Sequence, residues 1–205
     1  MSYDQYVLPA EHSTSPEAAQ RHLSAQAGAA PTPAAAEVAT RIGERCGEHL
    51  SLTPLTAEGD TVAVPVGFRG VEDARVAVHE EALAAGFGVY DPQVGVVIDP
   101  REVLPGTLIT QDGELPTLTR PAVAQLVGPL AVERFVVVTT ADPQVYAQTY
   151  RNSADDWTVE RREGGPDAHF ATRATTAAQV HELLDAWLRG DTDTVTAVGW
   201  ERLTL

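Results

Sequence analysis

The sequence predicts an α+β protein, with a ferredoxin-like first module and a small antiparallel sheet packed on a C-terminal helix as the second. Three observations carry that prediction. Residues 61–68 alternate Val62, Val64, Val66 and Phe68, the period of a half-buried strand, between two stretches of helical spacing. Residues 145–172 interleave β-rich runs with two polar turns, one at 152–156 and one at Gly164-Gly165-Pro166, as an antiparallel meander does. Val180, Leu183, Leu184, Trp187 and Leu188 then line one face of a helix.

In chain order, residues 3–8 read as a first strand ended by Pro9. Ser15-Pro16-Glu17 combines a hydroxyl cap, a proline at the first helical position and an acid in the first turn. Thr32-Pro33 repeats the start after a break from Gly28. Across 37–50, Val38, Ile42, Cys46 and Leu50 recur every four residues, leaving Arg41, Glu44, Arg45 and Glu48 to water. A short strand is expected at 51–55, the longer one at 61–68, and a helix over 70–85 that Gly86 stops. Strands at 87–90 and 94–98 flank the turn Asp91-Pro92-Gln93. Over residues 1–100 the order strand, helix, strand, strand, helix, strand is the split βαβ arrangement of ferredoxin-like folds.

Residues 101–133 are rich in proline and glycine and read as a connector holding one short helix at 120–127. The second module, 134–205, opens on the apolar strand Phe135–Thr139 and continues through strands at 145–150, 157–161 and 169–172. Thr175 or Thr176 caps the last helix, Gly190 stops it, and a strand over 195–203 is expected to follow.

Composition narrows the chemistry. All 14 basic residues are arginine, as codon usage in a high-GC bacterial genome would give. The absence of lysine excludes a Walker-type phosphate lysine, a Schiff-base lysine and a lysine general base. A net charge of −15 disfavours nucleic acid and anionic membrane surfaces, which need clustered basic residues, and suits a basic partner. No apolar run approaches the ~20 residues of a membrane span. Cys46 is the single cysteine, so no intramolecular disulfide or cysteine metal cluster forms. The first residues carry neither a basic nor an apolar leader segment, and a cytoplasmic location is expected.

No catalytic or metal-binding set stands out. His79 and His181 precede glutamates on helices, lack the second histidine of a zincin helix, and read as solvated. His169 follows a Gly-Gly-Pro turn, with Asp167 two residues before it as a possible partner. No serine stands in a Gly-x-Ser-x-Gly turn, and the pairs Glu80-Glu81, Asp155-Asp156 and Asp191/Asp193 lack a calcium-loop pattern. Gly86-Phe87-Gly88 lies after a helix and before a strand, the reverse of a nucleotide-binding loop. Neither a metal nor a cofactor is expected.

The remaining candidates are surfaces. Asp155, Asp156, Trp157, Glu160 and Glu163 lie on one hairpin, where an aromatic among carboxylates suits partner binding. Trp157 equally suits the core of a small sheet, and Trp187 and Trp200 read as core. Tyr90 and Asp91, at a strand end, form a second candidate.

The strand pair around Trp157-Thr158-Val159-Glu160, the turn Gly164-Gly165-Pro166, the helix over 176–189 and the closing Val198-Gly199-Trp200-Glu201 together resemble immunity proteins of bacterial polymorphic-toxin systems, in particular the first-numbered immunity family. The opening eight residues and the string from Gly86 to Gln93 are similar to uncharacterised high-GC bacterial proteins with such a tail. The resemblance covers a quarter to a third of the chain. It implies cytoplasmic binding that blocks a cognate toxin; with the net charge of −15, the expected mode is occlusion of the active surface of a basic toxin. The alternative is a small-molecule enzyme or sensor whose cleft lies between the modules and uses Tyr90, Asp91 and His169.

Overall fold

The first strand sits in the middle of its sheet, and the first half assembles around it. The computed structural model describes residues 2–204, and the chain divides into two compact units, Met1–Val103 and Leu104–Leu205.

In the first unit, β1 (Tyr3–Pro9) is followed by α1 (Pro16–Gln26), α2 (Pro33–Cys46), β2 (Ala57–Glu58), β3 (Thr61–Val66), α3 (Val71–Ala84), β4 (Phe87–Asp91) and β5 (Val96–Ile98). The sheet order is β2-β3-β1-β4-β5, with every pairing antiparallel. The expected alternation is present in this order, with a second helix in the first crossover and a fifth strand added by a hairpin. Both caps act as read: the hydroxyls of Ser15 and Thr32 accept hydrogen bonds from the backbone N–H groups of Ala18 and Ala35.

Register decides which side chains meet. Tyr3, Gln5 and Val7 lie opposite Val66, Val64 and Val62, and this face is buried beneath Val38 and Ile42 of α2 and Ala74 and Val78 of α3. On the other face Leu8, Tyr90 and Val97 pack with Ala19 of α1. Two expectations change here. Residues 51–55 form bends rather than a strand, and the edge strand is Ala57–Glu58. The helix over 37–50 ends at Cys46, where Gly47 opens a single 3-10 turn.

The second unit follows β6 (Val103–Leu104), which spans the division. It contains β7 (Thr107–Thr110), β8 (Gly113–Leu115), β9 (Leu118–Thr119), α4 (Arg120–Val127), β10 (Phe135–Thr139), β11 (Val145–Ser153), β12 (Asp156–Glu163), β13 (His169–Ala174), α5 (Ala177–Arg189), α6 (Thr192–Thr196) and β14 (Glu201–Arg202). Among the described residues seven strands form one antiparallel sheet in the order β14-β13-β12-β11-β10-β7-β8. Leu108, Val136, Val138, Ala147, Trp157 and Val159 are buried on one face, packed with α4 and α5 through Val123, Val127, Val180 and Leu184.

The sheet is therefore larger than the sequence suggested, because the supposed connector belongs to it. Residues 107–115 supply β7 and β8, and the prolines and glycines mark tight turns within a fold. Gly106 and Gly113 adopt positive φ of 134° and 116°. A Cβ on Gly106 would collide with the Thr139 carbonyl oxygen. Gly106→Ala is expected to cost roughly 2 kcal/mol or more, read as a lower urea midpoint, and an unchanged midpoint would contradict it. The closing strand also shortens. Asp191 caps a helical turn by accepting from the Thr194 N–H at 3.1 Å, and the strand that pairs with β13 is Glu201–Arg202, with the Leu203 N–H donating to the His169 carbonyl at 2.9 Å.

Candidate interaction face

The sheet of the second unit leaves a polar face opposite its helices. Alternation along β12 turns Trp157 and Val159 toward the helices and Thr158, Glu160 and Arg162 away from them. Register carries the same face across the sheet to Tyr146, Gln148 and Tyr150 on β11 and to His169, Ala171 and Arg173 on β13.

Glu160 organises the middle of this face. Its Oε2 accepts from Gln148 Nε2 at 2.7 Å and lies 2.9 Å from His169 Nε2. The Tyr146 ring meets the His169 ring edge-on at 5.9 Å. The histidine is thus oriented by a carboxylate, but Nε2 is occupied by Glu160 and Nδ1 is buried, so neither nitrogen is presented to a substrate. Asp167, the partner suggested by sequence spacing, instead bonds Arg202 at 2.9 Å.

Beside Glu160 a groove of about 450 Å³ is lined by Thr158, Glu160, Ala171, Arg173, Glu201 and Leu203, among others. Arg173 reaches across to Thr158 at 2.7 Å and to the Asp156 carboxylate. Glu201 is exposed and makes no ion pair among the described residues.

The residues expected at a partner surface are thus dispersed. Trp157 is 1 % exposed and lies beneath the Arg151 guanidinium, so it belongs to the core. Asp156 pairs with Arg173 and Glu163 with Arg161, while exposed Asp155 accepts from the Ser153 hydroxyl. Asp156 and Glu163 stand at opposite ends of β12, roughly 24 Å apart along an extended strand. Two of the hairpin's carboxylates are thus engaged in local charge pairs. Of the hairpin candidates, Glu160 alone lines the groove. Trp200 is half-buried: its indole donates to the Val195 carbonyl at 2.6 Å, and Arg161 stacks on its ring.

Tyr90 and Asp91 likewise separate, because neighbours on β4 point to opposite faces. Tyr90 stacks on Tyr6, and its hydroxyl accepts from Gln20 Nε2 at 2.7 Å beside a shallow groove of about 490 Å³. Asp91 is 1 % exposed. Its Oδ2 accepts from Tyr3 Oη at 2.6 Å, and its Oδ1 caps the turn by accepting from the Gln93 and Val94 amides. Asp91 is therefore interior structure and does not reach a partner.

His79 also departs from expectation. It is fully buried on α3, where burial and then the positive charge of Arg75 lower its pKa to about 3. The helix packs on both the sheet and α2, so its buried arc is wider than one apolar stripe.

Sequence reasoning missed Gln148, Ala171, Arg173 and Glu201, because strand register brings them to Glu160 and residue spacing does not. Among the described residues there is no group of three or more His, Cys, Asp or Glu side chains arranged to hold a metal, and no helix long and apolar enough to cross a membrane. No family model, curated protein or solved structure matches the chain.

Proposed function

We propose that this chain is a cytoplasmic binding protein that neutralises a cognate bacterial toxin by covering the toxin's active surface. The observation that carries this reading is the groove beside Glu160, which presents carboxylates, a guanidinium and a hydroxyl on a rigid sheet. The resemblance of the C-terminal segment to immunity proteins supports the same reading. So does the net charge of −15, which favours encounter with a basic partner.

Co-expression with a toxin domain encoded in the neighbouring reading frame tests the proposal. The two proteins are expected to co-purify as a stoichiometric complex, with toxin activity lost on binding and association slowed as salt rises. Absence of a complex, or a complex in which the toxin remains active, would overturn it.

A further inference from the structure

We infer that the groove of the second unit is a slot for a guanidinium group, supplied by an arginine of the bound partner; this rests on the inhibitor reading above. The backbone register is the first ground. Glu160 on β12 is directly opposite Ala171 on β13, and Ala171 is directly opposite Glu201 on β14. Directly opposed residues project from the same face, so the two carboxylates stand in one row with a methyl group between them. Strand spacing separates the outer rows by about 10 Å, and the small central side chain leaves the gap open. The groove occupies this gap, with Thr158 and Leu203 among its walls.

The second ground is the state of each carboxylate. Glu160 is held through Oε2 by Gln148 and His169, whereas its Oε1 accepts no hydrogen bond among the described residues. Glu201 has no ion pair among them, and Arg173 at the groove is engaged with Asp156 and Thr158. Arg162, two residues from Glu160 on the same strand face, forms no ion pair within the described set. Among the described residues no arginine forms an ion pair with Glu160 or Glu201, so both carboxylates remain open to an added cation. Charge complementarity selects a cation, and a planar group with donors on two edges suits carboxylates on two sides. An ammonium, as a compact point charge, is less suited to reach both. Arginine is also enriched among interface residues that dominate binding.

The slot can be tested without the partner. N-acetyl-arginine methylamide, titrated into the full chain and followed by amide NMR, is expected to give saturable shifts centred on Glu160, Ala171 and Glu201, with affinity on the order of millimolar. N-acetyl-citrulline methylamide, its neutral counterpart, is expected to give none, and Glu201→Gln or Glu160→Gln should weaken the arginine response several-fold. Equal shifts from the citrulline probe, or an arginine response unchanged in both variants, would overturn the slot. With the neighbouring-frame toxin, E201Q is expected to weaken the complex about tenfold. Undiminished affinity in E201Q and E160Q would sink the slot and leave the inhibitor reading standing. Probe binding without any toxin complex would instead sink the inhibitor reading and leave a guanidinium site.

Discussion

Asp91→Ala is expected to destabilise the first unit by on the order of 3–5 kcal/mol, the usual cost of breaking a buried charge pair by removing one member. Arg75 Nε lies 3.8 Å from Asp91 Oδ2, and the two side chains are 2 % and 1 % exposed. Tyr3 connects them, accepting from Arg75 Nη2 at 2.5 Å and donating to Asp91 at 2.6 Å. Burial raises the pKa of Asp91 against the lowering influence of its hydrogen bonds and of Arg75. Burial, then the adjacent carboxylate, pushes the Tyr3 hydroxyl far above its ordinary range, so it stays protonated and donates. Alanine removes a carboxylate that faces Arg75, the acceptor of Tyr3 and the cap of the 91–94 turn together. Asp91→Asn keeps much of the hydrogen bonding and should cost less. Urea unfolding checks the order of the two variants, and hydrogen exchange at β1 and β4 amides locates the loss. An alanine variant as stable as the native chain would refute it.

Acid should weaken the same unit through His79. Its pKa falls from 6.5 to about 3 on folding, with burial the main cause and Arg75 the second. Between those values the unfolded chain binds a proton that the folded chain does not. The contribution of this group is therefore complete above pH 6.5 and is lost as pH falls toward 3, by roughly 4–5 kcal/mol in all. His79→Leu should flatten the acid limb of the stability profile. Should that variant fail to fold, NMR of the native chain gives the same answer: the His79 ring signal should not titrate between about pH 7 and 4. A midpoint near the ordinary histidine value would refute it.

Local signals proved readable because they act over a few residues. Ser15, Thr32 and Thr176 cap their helices through their hydroxyls, and Gly86 and Gly190 stop theirs with positive φ. Of the strand expected over 61–68, Thr61–Val66 forms with Val62, Val64 and Val66 on one buried face, while Phe68 opens a 3-10 turn and is exposed. The same logic separated Trp157 from Glu160, although it did not decide which face met the helices. Long-range pairing was not readable in this way. Leu108 and Ile109 resemble a brief apolar run until β10 pairs with them, and Glu201 gains meaning only from its place across Ala171. His79 misled for a related reason: a histidine before two glutamates on a helix usually faces water, but α3 is enclosed on two sides.

The central position of β1 has a consequence for the route to the folded state. Its neighbours lie far along the chain: Tyr3 pairs with Val66 on β3, and Tyr6 with Tyr90 on β4. During synthesis this first strand must wait, unpaired, until both partners have emerged. In the second unit β10, β11 and β12 each pair with the next strand in sequence, closing short loops as they go. Loop-closure entropy therefore favours early zippering of that meander and delays the first sheet, although the first sheet is made earlier. The apolar side chains of β1 are exposed longest during that delay, which makes them the segment most dependent on protection from aggregation.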